Sequence, residues 1–317
     1  MKQLQRLRST RQLRDMLAET TFNRKQLIQP LFIVEGLARN EPIASLRGNV
    51  RLTAESALQQ VEADLEAGVE NFIIFFVPQE KKAAGFQHDF SRSVLQKLSS
   101  RFGNDAFFWV DTCLCSKTDS GHCCLFTPEG AIDFEATHQA LTSFAVACAD
   151  AGAHGIAPSD MIDGRVAALR AGLNKAHHHM TPIMSYSTKF QSSFYGPFRD
   201  AADSAPQFGD RKQYQLDVRN RSAALQASIR CAEEGADLLM VKPGMTSIDL
   251  IEPIKQATGL QVGAYQVSGE FGGLSVLADQ QLMNFDLALM ETWYTFRRAG
   301  AAFIITYGAR MAKQLGL

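Results

Sequence analysis

Residues 236–245 read ADLLMVKPGM, and this segment is the most informative of the sequence. Its apolar residues 238–241 run directly into Lys242, and Pro243 and Gly244 follow. A continuous apolar run predicts a strand covered on both faces, as in a parallel sheet between helices. Because lysine is almost never fully buried without compensation, a lysine at the end of a core strand raises the question of what its amine does.

Similar runs recur along the chain. Together with 236–242 they make eight predicted strands: LIQPLFIV (27–34), NFIIFFV (71–77), DAFFWVD (105–111), AHGIAPS (153–159), PIMSYS (182–187), ADLLMVK (236–242), QVGAYQV (261–267) and FIITYG (303–308). Most are nearly continuous in apolar residues rather than alternating, which favours parallel strands covered on both faces.

Segments with helical spacing separate these runs. Three of them cover 53–67, 219–234 and 284–298, and a glycine follows each. Glycine just beyond a helix is a C-terminal signal. Eight strands alternating with helices predict an α/β protein, a (β/α)₈ TIM barrel. A doubly wound open sheet is the main rival, but no GxGxxG motif follows the first strand.

The composition is that of an ordinary globular protein. The chain has 317 residues, 46% hydrophobic and 21% charged, with a net charge of -1. This balance gives no basic field for nucleic acid, and no apolar run is long enough to span a membrane or to form a signal-peptide core. We therefore predict a cytoplasmic protein with no nucleic-acid or membrane partner. Residues 1–26 are predicted to form a basic, helix-prone N-terminal arm, either a surface helix or an arm packing on a partner subunit, before a barrel domain at 27–317.

Polar residues stand at the predicted strand ends. In chain order they are Asp111, Ser159, Asp160, Ser187, Lys189, Lys242, Tyr265 to Ser268 and Tyr307. The C-terminal ends of the strands carry the active site in TIM barrels. A purely structural barrel would not need polar groups at so many of its strand ends, so we expect a catalytic rim.

Two lysines fall on neighbouring predicted strands at this rim. Lys189 follows strand five and Lys242 ends strand six, and neighbouring strands lie about 4.8 Å apart. Two close ammonium groups in a partly dry site favour the neutral form of each other, and a neutral amine forms a Schiff base with a ketone or aldehyde. The alternative is that each lysine extends its charge into solvent.

Cysteines crowd the loop after strand three, DTCLCSKTDSGHCC (111–124). Cys113, Cys115 and Cys123 offer three thiolates, which suits a zinc ion with one open position. His122 and Cys124 are alternative ligands. A set of reduced cysteines or an oxidised pair is the alternative without metal.

A long loop at 194–215 is rich in glycine, proline and charge. Its length predicts a lid, and Arg199, Arg211 and Lys212 are candidates to clamp carboxylates. A solvated surface loop would also explain this charge.

These features together resemble one family, porphobilinogen synthase, also called 5-aminolevulinate dehydratase. The matching stretches occur in order over nearly the whole chain: QPLFIVEG (29–36), DTCLCSKTDSGHC (111–123), APSDMIDGRV (157–166), SYSTKFQSSFYGPFRDAADSAPQFGDRKQYQ (185–215), EEGADLLMVKP (233–243) and AYQVSGE (264–270). The resemblance implies a TIM barrel with an extended N-terminal arm, assembled as a homo-octamer. It also implies a lyase that condenses two 5-aminolevulinate molecules to porphobilinogen, with loss of two waters, on the route to haem and other tetrapyrroles.

The resemblance also assigns roles to residues of this chain. Lys242 and Lys189 match the Schiff-base lysines of the two substrate sites, called the P-site and the A-site respectively. Cys113, Cys115 and Cys123 match a catalytic Zn²⁺ triad. Further matching positions are Arg199, Arg211 and Gln215 for the A-site carboxylate, Ser268 and Tyr307 for the P-site carboxylate, and Asp111, Ser159 and Tyr195 elsewhere in the active site; Tyr265 at the rim is added as a substrate-binding candidate.

Some positions depart from the family pattern. The flanks of the P-site differ at Gly244 to Ser247 and at Phe271 to Gly273, and Cys124 replaces the usual glycine. Ala227 stands where many bacterial members have a glutamate that supports an allosteric Mg²⁺, so this second metal site is not expected. Two alternatives stay open. A divergent paralogue acting on a related amino-ketone would not form porphobilinogen, and a zinc-storing oligomer would bind metal without forming a Schiff base.

Overall fold

The computed structural model describes residues 3–317, and its centre is a barrel of eight parallel strands. The barrel strands are Leu27–Val34 (β1), Asn71–Val77 (β2), Phe107–Thr112 (β3), Gly155–Pro158 (β4), Met184–Lys189 (β5), Leu238–Lys242 (β6), Gln261–Tyr265 (β7) and Ile304–Ile305 (β8). Each of the eight predicted runs contains or overlaps one of these strands, so the predicted TIM barrel is confirmed.

The strands pair in chain order around the barrel. β1 pairs with both β2 and β8, with Leu27 opposite Ile304 in the second pairing. The ring closes between β4 and β5 through a parallel bridge from Ile156 to Ile183. All eight C-terminal strand ends therefore meet at one rim, where parallel barrels carry their polar side chains.

Helices surround the barrel. Within residues 3–317 the α-helices are Arg11–Met16 (α1), Ala54–Glu66 (α2), Asp89–Phe102 (α3), Phe134–Asp150 (α4), Arg165–Lys175 (α5), Gly196–Ala201 (α6), Arg221–Glu233 (α7), Ile251–Thr258 (α8), Ser268–Asp279 (α9) and Phe285–Arg298 (α10). The predicted helices at 53–67, 219–234 and 284–298 correspond to α2, α7 and α10. The N-cap side chains of Thr53 and Asn284 accept from backbone N–H groups of the first turn, which fixes where α2 and α10 begin. No helix in this described part of the chain has the length and apolar character to cross a membrane.

Shorter elements lie in the loops and in the N-terminal segment outside the barrel. Two short antiparallel pairs, Glu41–Pro42 with Val50–Leu52 and Leu125–Phe126 with Ile132–Asp133, lie in the loops after β1 and β3. Residues 3–26 contain α1 and two 3₁₀ turns without a buried residue, and the ring of Phe22 contacts Tyr294 at 5.2 Å. The division into an arm at 1–26 and a barrel domain at 27–317 stays a prediction.

Candidate active site

Lys189 and Lys242 end neighbouring strands and are direct register partners. Their relative exposures are 5% and 3%, so both ammonium groups are removed from solvent. Burial, followed by the positive charge of Lys189, lowers the pKa of Lys242 to about 7. An amine with this pKa is partly neutral, and therefore nucleophilic, near neutral pH.

A bulge in β5 sets which side chains face the barrel interior. The register with β6 shifts by one residue between Leu239 and Val241, which interrupts the usual alternation of faces along the strand. Tyr186 and Lys189 consequently share the interior face although three positions separate them. The Tyr186 ring lies 5.9 Å from the Lys189 Nζ and 5.0 Å from the Lys242 Nζ, so one ring spans both amines.

The bulge also corrects one prediction. Ser187, expected at the catalytic rim, instead faces the helix layer, where its hydroxyl accepts a hydrogen bond from Ser228 of α7 at 3.0 Å. Thr188 points the same way and contacts the same Ser228 hydroxyl at 2.8 Å. In a regular strand, alternation from Lys189 would point Ser187 into the barrel and Tyr186 toward the helices. The bulge reverses these two directions.

Aromatic rings enclose the amine of Lys242. The distances from its Nζ to the ring centroids are 5.0 Å for Tyr186, 5.4 Å for Tyr195, 4.8 Å for Phe198 and 4.1 Å for Tyr265. These four residues are called the aromatic cage below. The cage excludes water from the amine, which is the main cause of its lowered pKa, while the ring faces tolerate the ammonium form. Sequence reasoning missed Tyr186 and Phe198 because it searched for charged and hydroxyl groups.

Asp111 and Ser159 lie at the ends of neighbouring strands on the Lys189 side of the site. The Lys189 ammonium donates a hydrogen bond to the Ser159 carbonyl oxygen. One carboxylate oxygen of Asp111 is buried and has no hydrogen-bond partner in the described part of the chain, residues 3–317. Burial and the negative charge of Cys115 raise the pKa of Asp111 to about 7. The carboxyl group can therefore give or accept a proton near neutral pH, as a general acid-base group must.

The cysteine triad, Cys113, Cys115 and Cys123, converges at this rim. Its three sulfur atoms are buried and lie within 4.8 Å of one another, and the Cys113 thiol donates to the Cys115 sulfur at 3.4 Å. Hydrogen bonds from the other two thiols lower the pKa of Cys115 well below its ordinary value, whereas burial raises that of Cys113. A lowered pKa favours the thiolate form of Cys115, and the thiolate is the form that binds a metal.

Cys124 and His122 do not belong to this group. Burial raises the pKa of the Cys124 thiol to about 12, so it stays protonated. The His122 ring nitrogens contact the Tyr214 hydroxyl and the Phe208 carbonyl oxygen, each at 2.9 Å. The ring of His122 therefore binds the 194–215 loop, and both residues predicted as alternative ligands have other surroundings.

Three side chains of the 194–215 loop that match the A-site carboxylate ligands carry buried polar atoms without a partner among residues 3–317: Arg199 at Nε, Arg211 at Nε, and Gln215 at both side-chain amide atoms. Buried polar groups normally find partners, so this set is open to an anionic ligand. Burial opposes the charge of Arg211, but the neighbouring Cys123 and Cys115 raise its pKa and keep it protonated. Lys212, also proposed as a clamp, is exposed and pairs with Asp210 at 2.9 Å, outside the site.

Ser268 and Tyr307 lie on the side of Lys242 that is away from Lys189 in the order of the barrel strands. The Tyr307 hydroxyl contacts that of Tyr265 at 3.1 Å. Ser268 is the first residue of α9, and its hydroxyl accepts from the Phe198 backbone N–H at 3.0 Å. A helix N-terminus beside two hydroxyl groups favours a carboxylate.

The 194–215 loop lies closed over the rim, as a lid. The Arg211 guanidinium donates to the Gly121 carbonyl oxygen at 2.9 Å, and the Tyr195 hydroxyl donates to the Phe190 carbonyl oxygen at 2.7 Å. Gly121 has φ +68°, and a Cβ there would lie 2.1 Å from the Ala205 carbonyl oxygen, so only glycine permits this contact between the cysteine loop and the lid.

Comparison with known proteins places this site in a family. The family model described as delta-aminolevulinic acid dehydratase matches residues 1–315. The chain belongs to the delta-aminolevulinic acid dehydratase family. The delta-aminolevulinic acid dehydratase of Helicobacter pylori is 39% identical to this chain, and the match covers 99% of this chain and 98% of that protein. The delta-aminolevulinic acid dehydratase of Halalkalibacterium halodurans is 40% identical, and the match covers 98% of this chain and 95% of that protein.

A solved structure of a family member agrees. The delta-aminolevulinic acid dehydratase (porphobilinogen synthase) of Toxoplasma gondii, in complex with the reaction product porphobilinogen, superposes with a TM-score of 0.95 at 34% identity. The match covers 99% of this chain and 91% of that one. The family and lyase activity predicted from the sequence are thereby confirmed. The roles of individual residues stay predictions.

Proposed function

We propose that this chain condenses two 5-aminolevulinate molecules to porphobilinogen and two waters, with Lys242 and Lys189 each holding one substrate as a Schiff base. The observation that carries the residue assignment is the register pairing of these two buried lysines. Two ketone substrates need two amines close together, and neighbouring strands supply them.

The P-site is the part of the rim around Lys242. Its neutral amine attacks the ketone carbon, a C–N bond forms, and the carbonyl oxygen leaves as water after protonation. Asp111, whose pKa is about 7, is the candidate to supply and recover that proton. The hydroxyls of Ser268 and Tyr307 hold the carboxylate of this substrate, and the aromatic cage excludes water.

The A-site is the part around Lys189 that faces the lid. The unpartnered groups of Arg199, Arg211 and Gln215 receive the second carboxylate. Guanidinium groups bind carboxylates with paired, directional hydrogen bonds, so the lid selects a carboxylate-bearing substrate as it closes. Without such an anion, Arg199 and Arg211 repel each other, and the pKa of Arg199 is lowered by burial and by Arg211.

The cysteine triad fits Zn²⁺. Three buried sulfur atoms within 4.8 Å of one another, one of them with a lowered pKa, suit a soft, four-coordinate ion with an open position. Bound zinc would supply Lewis acidity beside Lys189, polarising a carbonyl or stabilising hydroxide. Arg211 and Asp111 flank the triad and would orient the substrate next to it.

The altered flanks do not open the P-site. Phe271 is fully buried, with its ring 5.8 Å from that of Tyr307. The carboxylate of Glu270 accepts from the Met245 backbone N–H at 2.8 Å, which holds the changed segment after Lys242. These contacts support the same P-site ligand set, and 5-aminolevulinate rather than a related amino-ketone is the proposed substrate.

Two experiments test the proposal. A colorimetric assay for porphobilinogen, with zinc and thiol present and again after chelation, tests the reaction; no product from zinc-loaded protein would exclude it. Borohydride reduction in the presence of 5-aminolevulinate should attach substrate mass to the peptide containing Lys242. If a Lys242→Ala variant were labelled equally, the lysine assignment would be wrong. A Lys212→Ala variant, altered in an exposed lysine of the lid, is the matched control and should be labelled like the wild type.

Assembly as a homo-octamer is part of the proposal. The N-terminal segment exposes Leu4, Leu7, Met16 and Leu17, with relative exposures from 47% to 71%. Exposed apolar side chains on a segment that has no buried residue of its own favour packing against a partner copy. Light scattering of the purified chain at several concentrations tests the octamer. The cytoplasmic location stays a prediction.

A further inference from the structure

A second cavity lies among the segments that follow β1, β2 and β3, and its lining residues are not those of the candidate active site. It has a volume of about 290 Å³ and is bounded by the segment after β2, the start of α3, and Lys117 of the cysteine loop. Its charged lining residues are Glu35, Glu80, Lys82, Asp89 and Lys117. This volume approaches the lower end of ordinary small-ligand pockets.

Lys117 is the unusual residue of this cavity. Its relative exposure is 4%. Among residues 3–317 its ammonium group has no hydrogen-bond acceptor and no carboxylate within ion-pair distance; its close neighbour is the Phe144 ring, 3.8 Å away. Burying a charge without a partner is costly. The cavity beside Lys117 is where such a partner fits.

The start of α3 forms the neighbouring wall. Its first residues, Asp89, Phe90 and Ser91, line the cavity, and the N-cap residue His88 contributes no side-chain hydrogen bond to them. The backbone N–H groups of a first helical turn favour an anion. This 14-residue helix and the buried ammonium therefore offer positive charge from two directions.

The mouth of the cavity carries the opposite charge. Glu80 is exposed and pairs with Lys82 at 2.9 Å. Glu35 is half-buried, and within residues 3–317 its carboxylate accepts a hydrogen bond only from the Gln79 backbone N–H, at 3.0 Å. Asp89 is exposed at the same opening. The charge thus changes from positive at the buried base to negative at the mouth.

We propose that this cavity binds a small amino acid whose amino and carboxylate groups stand at opposite ends. The carboxylate pairs with Lys117 and the first turn of α3, and the ammonium group meets Glu35 and Asp89 at the mouth. A simple anion would meet the carboxylates on entry, and a simple cation would meet Lys117 at the base. The proposal does not depend on the reaction at the rim.

The cavity wall is hydrogen-bonded to the cysteine loop. The Lys82 N–H donates to the Lys117 carbonyl oxygen at 2.9 Å, and the Asp119 N–H donates to the Lys82 carbonyl oxygen at 3.2 Å. An occupant that contacts both walls stabilises this junction. Binding is therefore measurable as thermal stabilisation as well as heat.

Calorimetric titration with 5-aminovalerate tests the assignment on the full-length, zinc-loaded chain. Carboxylates are also expected at the rim, so the quantity compared is the number of equivalents bound. We expect wild type to bind one more equivalent per chain than a Lys117→Met variant. Valerate should bind this site at least tenfold more weakly, and pentylamine should not bind it. Equal equivalents in wild type and variant would overturn the proposal, and valerate binding as tightly as 5-aminovalerate would overturn the amino-acid assignment.

Two controls separate binding from damage to the fold. Lys117→Met replaces an unpaired buried ammonium with an apolar chain of similar length, so its melting temperature without ligand should be equal or higher, with unchanged zinc content. Gln87→Trp fills the cavity from an exposed lining position that is not part of the triad, and it should remove the same bound equivalent of ligand. If Lys117→Met does not fold, the Gln87→Trp variant provides the test. If this variant still binds as many equivalents of 5-aminovalerate as the wild type, the proposal is overturned. Failure to form porphobilinogen would exclude the proposed reaction while leaving this binding result unaffected.

Discussion

Lys189 and Lys242 face each other across two neighbouring parallel strands, and each is more than nine-tenths buried. Burial and the charge of Lys189 together lower the pKa of Lys242 to about 7. The two amines therefore act on each other before any substrate arrives. In the proposed reaction, the lysine that holds one substrate would therefore also activate the lysine that holds the other.

Replacing Lys189 should change the pH dependence of Lys242. In Lys189→Met the pKa of Lys242 rises because one of its two main lowering causes is lost, so less neutral amine is present at pH 7. The pH midpoint of borohydride trapping at Lys242 should move upward, with less labelling at pH 7. Lys189→Arg, which keeps the charge, should leave the midpoint near the wild-type value. An unchanged midpoint in Lys189→Met would show that burial alone sets the pKa.

The sequence predicts the barrel and the lysine pair for the same reason. Runs covered on both faces are visible as continuous apolar stretches, and the lysine after such a run is visible as an exception. Tyr186 could not be predicted because its orientation depends on a one-residue bulge. The aromatic contact of Phe198 depends on how the lid closes, which local sequence does not encode.

The triad and Cys124 should respond differently to substitution. Cys115→Ser removes the sulfur with the lowered pKa, so bound zinc and porphobilinogen formation should both fall sharply. Cys124→Ser is the matched control, because its thiol is protonated and lies outside the group of three sulfur atoms. Zinc per chain, measured by atomic emission, should be near zero in the first variant and unchanged in the second. Equal zinc loss in both would place Cys124 among the ligands.

Phe198 should control closure of the lid. Its ring packs against Phe75 at 5.0 Å and Phe32 at 5.6 Å, besides covering the amine of Lys242. Aromatic pairs contribute about 0.5–1.5 kcal/mol each, so Phe198→Ala should favour the open lid by about 1–3 kcal/mol. We expect a higher KM and faster proteolysis within residues 200–210. Phe208→Ala, altered in an exposed ring of the same loop, should change the KM less. Unchanged proteolysis of the Phe198 variant would contradict its role in closure.

Glu270 should hold the segment after Lys242. Its two carboxylate oxygens accept from the Met245 and Val267 backbone N–H groups, each at 2.8 Å. In Glu270→Gln the amide nitrogen meets an N–H donor, and a buried donor without a partner costs about 1–3 kcal/mol. The free energy of unfolding, measured in urea, should fall by that amount. If the free energy of unfolding fell by less than this at all pH values, the segment after Lys242 would not depend on Glu270 for its position.

The pH dependence of this loss follows from the pKa of Glu270. Burial raises it from 4.5 to about 7, so the folded protein binds more protons than the unfolded chain between these values. This contribution to stability is complete below pH 4.5 and is lost as the pH rises through about 7. The wild type should therefore lose stability over this window more steeply than Glu270→Gln. Parallel stability curves would contradict the raised pKa.

Arg165 should position the bulge that carries Tyr186 and Lys189. It is fully buried, its Nε lies 3.5 Å from the Asp160 carboxylate, and one of its Nη atoms donates to the Tyr186 carbonyl oxygen at 3.2 Å. Arg165→Met leaves Asp160 buried without its cation, which costs about 3–5 kcal/mol. The free energy of unfolding should fall accordingly, together with kcat.

A double variant separates positioning from stability. Asp160→Leu/Arg165→Met removes both charges, so it should recover most of the stability lost in the single variant. It cannot restore the hydrogen bond to the Tyr186 carbonyl oxygen. We therefore expect kcat and the rate of Schiff-base trapping at Lys189 to stay at least tenfold below wild type, while trapping at Lys242 recovers. Since only a positioning role predicts recovered stability with a persistent defect at Lys189, recovery of both quantities would show that Arg165 acts through stability alone.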